Sequence, residues 1–379
     1  MLIIVSHMQK YIWKQSNWPN FTFDTNQLTN LLGQVRLKQG QLIQKLNSIV
    51  GDDLTRSRAL ILEQETLKTA LIEGEKYDPL SVRSSIHTRL NLPRAGLPRP
   101  TKHIDGLIDV ILDAVENPQT QLKKTKLYAW HANLFPTGYS KLFKIRAGKL
   151  RNDQNGPMQV VSGSIGHEKI HYLAPPAKSL NREMTSFLSW WNQGSSQLDG
   201  VLRAGIAHFY FVTIHPFDDG NGRLARVLTD LALAQDDHAP HRYYSLSSAI
   251  IKHKNDYYNI LEKSQKDSID LTPWLIWFLQ TFLQSLESSD SLLKDIFAKT
   301  TFWLRYSHLL LNSRQQKAIN KIMDSGSDSS LNLTSRRYMS INHTISRSTA
   351  IREIQQLVEH KILIKNKSRG RSVSYHLVW

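Results

Sequence analysis

Apolar residues recur at helical spacing along most of the chain, and this pattern predicts a mainly α-helical protein. Leu28, Leu31, Leu32, Val35 and Leu42 share one helical face, and Asp24 is suited to cap the helix they define. Residues 57–72 read as a second helix that Gly74 ends, since glycine is the favoured residue just past a helix C-terminus. Pro79, Pro93, Pro98 and Pro100 then mark a loop-rich passage with short helices. Further helices are expected over 104–115, 122–135, 181–192 and 199–213. The pattern changes between 146 and 172. Val160-Val161 and Ile170-His171-Tyr172-Leu173 flank a Ser/Gly-rich stretch, which predicts a β-hairpin closed off by Pro175-Pro176. A lone hairpin among helices belongs over a site more than inside a core. Tyr11, Trp13, Trp18, Phe21 and Phe23 read as anchors that pack an N-terminal arm onto the main body.

Length and composition narrow the class. A chain of 379 residues is expected to form two or three domains. The divisions expected are an N-terminal helical region at 1–100, a central body at 101–285, a linker helix at 286–311 broken near Ser288-Ser289-Asp290, and a small domain at 312–379. Cysteine is absent, which excludes disulfides, thiolate zinc sites and cysteine nucleophiles. The longest apolar run, 205–214, is too short to span a bilayer, and the opening ten residues make a poor signal peptide, so a soluble cytoplasmic protein is expected. Forty-eight basic against 32 acidic side chains give a formal net charge of +16, which calls for an anionic partner.

One segment concentrates the chemistry. Ile214-His215-Pro216-Phe217-Asp218-Asp219-Gly220-Asn221-Gly222-Arg223-Leu224-Ala225-Arg226 links an apolar helix to a second helix with apolar residues at Leu224, Val227, Leu228 and Leu231. Amides at a helix N-terminus, with the helix dipole behind them, form a ready anion site. Gly220 and Gly222 permit the positive φ that turns successive amides inward. Arg223 and Arg226 lie three apart on one face, able to grip one polyphosphate. Asp219 supplies a hard oxygen ligand for Mg2+, and His215 a base for an attacking hydroxyl. A lone histidine is usually structural, Gly-Asn-Gly is a common turn, and paired arginines usually form a solvated face. Their ordered combination points to phosphoryl or nucleotidyl transfer.

This segment resembles the signature of the Fic family, His-x-Phe-x-Asp/Glu-Gly-Asn-Gly-Arg-x-x-Arg, with every specified position filled. The resemblance implies a helical Fic fold with a β-hairpin flap, and transfer of AMP from ATP to a hydroxyl side chain of a target protein. By that likeness His215 is the catalytic base and Phe217 a core anchor. Asp219 binds Mg2+, the stretch from Gly220 through Asn221, Gly222, Arg223, Leu224 and Ala225 holds the nucleotide, and Arg226 takes the γ-phosphate. Relatives that transfer phosphate or phosphocholine deviate in this loop, and this sequence does not. Ile170, His171, Tyr172 and Leu173 correspond to the flap edge that pairs with the target backbone. Tyr257 falls in a region that closes over adenosine.

Thr69-Ala70-Leu71-Ile72-Glu73-Gly74 is similar to a second element of the family, Ser/Thr-x-x-x-Glu-Gly/Asn, which forms an inhibitory helix. Glu73 paired with Arg226 would occupy the γ-phosphate site and leave nucleotide misaligned. In some relatives the same glutamate supports removal of AMP. The tail from Asn312 onward holds 12 basic and 4 acidic residues. Its order, a helix at 333–341, a helix capped by Ser346, then strands around 361–364 and 373–377, resembles a winged helix-turn-helix. Arg347, Ser348 and Arg352 lie on the groove-reading face, with Arg369 and Arg371 in the wing. DNA binding competes here with protein docking, and a DNA-binding regulator whose body senses nucleotide is the alternative to an enzyme. A homodimer is compatible with both domain types.

Overall fold

The computed structural model describes residues 11–49, 51–162, 167, 169–237, 242–266, 268–323, 332–343, 345–366 and 373–378. The opening decapeptide, most of the hairpin tip, and the wing arginines Arg369 and Arg371 lie outside them. The chain forms two compact units, residues 1–47 with 51–291, and residues 48–50 with 292–379. No helix among the described residues is long and apolar enough to cross a membrane.

In the larger unit the helices are α1 (Thr25–Asn47), α2 (Asp52–Ile72), α3 (Pro79–Arg89), α4 (Lys102–Glu116) and α5 (Lys124–Leu134). Two hairpins follow, β1 (Tyr139–Ser140) with β2 (Phe143–Lys144), and β3 (Gln159–Ser162) with β4 (Lys169–Leu173). Then come α6 (Leu180–Ser189), α7 (Gly200–Ile214), α8 (Asn221–Asp237), α9 (Leu246–Ile250), α10 (Lys254–Gln265) and α11 (Thr272–Leu292). This is the expected mainly helical architecture. Residues 11–47 and 51–100 share one compact unit with the central body, onto which the aromatic arm packs. Trp13 Nε1 donates to Leu173 O at 2.8 Å, and Trp18 stacks edge-on against Tyr210 at 5.2 Å. Thr22 bridges to Asp270, and Asp24 caps α1 by accepting from the Asn26 amide.

The centre of the unit is α7. Asp199 caps it, and nearly all of its residues are buried, which is why its sequence is apolar on every side. Gly205 lets α11 approach closely, since a methyl there would lie 2.8 Å from Phe278. Trp274 Nε1 donates to the Gly205 carbonyl at 2.8 Å. Ser288-Ser289-Asp290 does not break the chain as expected. α11 runs through it to Leu292, because Ser289 turns its hydroxyl back to Ser285 O and Asp290 pairs with Lys38 and Lys45. The expected linker is therefore partly the end of α11.

The smaller unit contains α12 (Lys294–Arg305), α13 (Ser313–Met323), α14 (Ser335–Asn342) and α15 (Arg347–Glu359), then the antiparallel pair β5 (Leu363–Lys365) and β6 (Tyr375–Leu377). Ala318, Ile319, Tyr338, Ala350, Ile354 and Leu357 form its core. Buried Glu353 pins the helices together by accepting from Arg314 and from Tyr338 Oη. Ser346 caps α15 through the Thr349 amide at 3.1 Å. A C-terminal hairpin thus follows helices, as the winged pattern predicts.

Candidate active site

The segment from His215 to Asn221 is the turn between α7 and α8, and every part of it is held from outside. His215 ends α7 in the left-handed region at φ 52°, an expensive conformation for a side chain with a β-carbon, of about 1–2 kcal/mol. Its Nδ1 lies 3.2 Å from Val212 O. A carbonyl only accepts, so Nδ1 carries the proton and Nε2 keeps its lone pair. Burial, opposed by that hydrogen bond, pushes the imidazole down to about 4. At neutral pH His215 is therefore an uncharged base.

Phe217 is fully buried and stacks on the ring of His131 at 4.1 Å. Asn221 grips Phe217 on both backbone atoms, accepting from its N–H at 3.0 Å and donating to its C=O at 2.8 Å. The Asn221 side chain is thus spent on shaping the loop, and only its backbone remains for a nucleotide. Leu224 and Ala225, also expected at the nucleotide, have no exposed surface and point into the core. Gly220 has φ +78°, and a methyl there would lie 2.7 Å from Phe135. Gly222, in contrast, sits in the first turn of α8 and is not among the positive-φ glycines. Its smallness serves another purpose, because a methyl group would lie 2.5 Å from Glu73 Oε1. The first bond of α8 runs from the Leu224 amide to Gly220 O, so the amides of Asn221, Gly222 and Arg223 precede it.

Asp219 keeps its carboxylate at the surface of this turn. Oδ1 accepts from the Gly220 amide at 2.6 Å and Oδ2 from the Ser140 hydroxyl. Three residues that the sequence reading missed hold the turn in place. His131, on α5, reaches Asp219 O through Nε2 at 3.1 Å and accepts from the Gly148 amide through Nδ1 at 2.8 Å. Burial pushes it down to about 4, which keeps it neutral as those two bonds require. Arg151, with no exposed side-chain surface, donates through Nε to His215 O at 2.7 Å and through Nη2 to Pro175 O. Ser140 is the third. Each lies 64 or more residues from its partner in the turn, and no local spacing marks it.

The arginines meet α2. Arg226 is buried, donates through Nε to Thr69 Oγ1 at 2.7 Å and through Nη2 to Glu73 Oε1 at 2.6 Å. Thr69 and Glu73 are four apart and so share one helical face, which explains the spacing of their motif. Tyr258 Oη lies 3.4 Å from Ile72 O, at the same end of α2. Arg223 packs its guanidinium over Phe135 at 4.7 Å and lies 3.2 Å from Glu75 Oε1. Tyr257 is buried, with its hydroxyl 2.8 Å from His208 Nε2. His208 Nδ1 in turn meets Thr229 Oγ1 at 3.0 Å, and Thr229 donates to Ala225 O. That order makes Tyr257 the donor to His208.

A cavity of about 710 Å3 opens beside these groups, lined by Glu73, His215, Gly222, Tyr257, Tyr258, Gln265 and the β3–β4 hairpin. In the hairpin Val161 faces Ile170 and both are about half exposed. His171 turns to Glu262 at 2.5 Å. Tyr172 lines the cavity wall. It is buried, and its hydroxyl anchors the hairpin on Thr213 O at 2.7 Å. Leu173 gives its carbonyl to Trp13. Of the four expected edge residues, Ile170 alone is exposed.

Residues 121–233 match the Fic/DOC family, and residues 11–92 match a domain of unknown function, DUF4172. Among curated proteins, protein adenylyltransferase Fic of Culex quinquefasciatus is 33% identical over 101 residues, 26% of this chain and 19% of that protein. Protein adenylyltransferase fic-1 of Caenorhabditis briggsae is 39% identical over 59 residues, 15% of this chain and 12% of its own length. The matches therefore span less than a quarter of those relatives. A solved Fic family protein from Desulfovibrio desulfuricans G20 has a TM-score of 0.59 at 18% identity, covering 94% of this chain and 97% of that one. Fic-1 of Caenorhabditis elegans has a TM-score of 0.50 at 18% identity, covering 70% and 73%. The chain is a Fic-domain protein with an N-terminal DUF4172 domain and the mainly helical Fic fold.

Proposed function

We propose that this Fic-domain protein is an adenylyltransferase that moves AMP from ATP to a hydroxyl side chain of a protein, and that Glu73 restrains it. The observation that carries the reading is the seat of the Glu73 carboxylate, against Gly222 in the first turn of α8 and in contact with Arg226. A negative group at a helix N-terminus, gripped by an arginine, stands in for a phosphate. Two shielded guanidinium N–H groups, Arg226 Nη1 and Arg223 Nε, have no hydrogen-bond partner among the described residues. Phosphate oxygens would supply that partner.

The chemistry follows from the neutral imidazole. A target hydroxyl gives its proton to His215 Nε2 while its oxygen bonds to the α-phosphorus and the bond to pyrophosphate breaks. The products are a protein–AMP ester and pyrophosphate. Arg223 and the amides opening α8 hold the phosphates, and Arg226 takes the γ-phosphate once Glu73 leaves. Asp219 would hold Mg2+: its carboxylate is partly exposed, keeps lone pairs beyond its two hydrogen bonds, and has the hard oxygens that this ion takes one or two at a time. When bound, the ion offsets phosphate charge. The exposed Val161 and Ile170 give the hairpin an edge against which a target segment would lie.

A second reading applies to the smaller unit. Arg347, Ser348 and Arg352 are exposed along the start of α15, as a DNA-reading helix requires. This role would accompany the enzyme, since a pure sensor has no use for the base at His215. The two are separated by incubating full-length protein with Mg2+ and ATP labelled at either the α- or the γ-phosphate. AMP transfer puts only the α label on protein and loses it in His215→Ala. Retention of the γ label, or no label on any Glu73 variant, would rule the enzyme reading out.

A further inference from the structure

Glu75, two residues past the expected inhibitory glutamate, meets the other phosphate arginine of the loop. Its Oε1 lies 3.2 Å from Arg223 Nη1. Its Oε2 accepts from Tyr77 Oη at 2.8 Å. Burial, with the Glu75 charge beside it and the nearby Arg223 opposing, raises the Tyr77 phenol, so the hydroxyl stays protonated and remains a donor.

The end of α2 explains why two carboxylates arrive together. The Glu75 amide bonds back to Ala70 O at 3.0 Å and the Gly74 amide to Leu71 O at 3.0 Å, with Gly74 at φ +79°. These are the paired bonds of a Schellman closure. It fixes Glu73 at the cap and Glu75 two residues on, either side of a glycine that alone takes this φ without strain. Each carboxylate then faces one of two arginines three residues apart on α8. The burial is unequal within both pairs. Side-chain exposure is 2% for Arg226 against 25% for Glu73, and 2% for Arg223 against 26% for Glu75. The guanidiniums are the buried members of both pairs, and the carboxylates the ones on the solvent side.

We infer that Glu75 is a second gate on the phosphate site: it holds Nη1 of Arg223 and competes there with the phosphates of any nucleoside di- or triphosphate, whereas Glu73 opposes only the γ-phosphate. This rests on the adenylyltransferase reading for the roles of the two arginines. It adds that the two glutamates act on different parts of the nucleotide.

The test is isothermal titration of full-length protein carrying His215→Ala, which prevents turnover, with Mg-ADP and Mg-ATP in separate runs. Glu75→Gln is expected to tighten both nucleotides about tenfold, the scale of one charge-assisted hydrogen bond. Glu73→Gly is expected to tighten ATP and leave ADP unchanged. Tyr77→Phe, which keeps the carboxylate but frees it from its tether, is expected to tighten ADP about two- to threefold, and it serves if the glutamine variant does not fold. Unchanged or weaker ADP binding in Glu75→Gln, or in Tyr77→Phe where only that variant folds, would overturn the inference by making Glu75 a support for Arg223. Failure of Glu73→Gly to affect ATP would count against the Glu73 reading instead, and would leave the ADP result for Glu75 standing.

Discussion

Glu73 and Arg226 are 153 residues apart in sequence, yet their side chains meet at 2.6 Å in a pair closed on the arginine side by Thr69. A hydrogen bond to a charged group contributes about 1.5–3 kcal/mol. Its removal in Glu73→Gly is expected to raise AMP incorporation about ten- to a hundredfold. Initial rates with labelled ATP check this, and an unchanged rate contradicts the restraint.

His131 tests how the turn is held. His131→Phe keeps the ring stack on Phe217 but leaves Asp219 O and the Gly148 amide without their partners, a cost of about 1–3 kcal/mol each. In the Glu73→Gly background the variant is expected to stay folded, with a melting temperature lower by several degrees. Its transfer rate should fall at least tenfold, with a higher Mg2+ requirement because Asp219 has lost its fixed backbone. Thermal melts and Mg2+ titrations of the rate separate these effects. A lower melting temperature with an unchanged Mg2+ dependence would make His131 a packing residue only.

The pH profile reports on His215. With the imidazole pushed down to about 4 by burial, its neutral form dominates in the free protein at every pH above that value. Base catalysis is lost only as pH falls through the folded-state value, so kcat/KM of Glu73→Gly should stay flat from pH 6 to 8. An acid limb centred near the ordinary histidine value of about 6.5 would show the ring to be solvated in the working enzyme.

Arg347 and Arg352 carry the DNA expectation. A gel shift of full-length protein on random duplex at low salt should show binding, which the double change Arg347→Glu and Arg352→Glu abolishes. Each lost phosphate contact lowers the salt slope by about one. Equal binding by the double variant would move the contact elsewhere, and no binding by the parent protein would leave the unit a docking module.

The sequence showed the loop from His215 to Arg226 well, because its functional groups are contiguous and their order is informative without a fold. The helices were legible for a similar reason: their apolar periods are long, and caps such as Asp24 and Ser346 act within three residues. Long-range partners were not. His131, Arg151 and Ser140 look like ordinary residues of helices and turns until folding brings them against the loop. Gly222 was read as a conformational glycine when its role is clearance for Glu73, a distinction visible only with α2 in place. Ser288-Ser289-Asp290 read as a break because small polar residues favour turns, but packing and two lysines hold it helical. The one local hint left unused was Glu75 itself, a second glutamate across the helix-ending glycine.

The central claim, that the turn after α7 transfers AMP and that Glu73 blocks it, is tested most directly by intact-mass spectrometry of full-length Glu73→Gly after incubation with Mg2+ and ATP. An increment of one AMP on the protein itself or on an added lysate protein, absent when His215→Ala is also present, is the result predicted. No increment on either, or an increment that survives loss of His215, would contradict it.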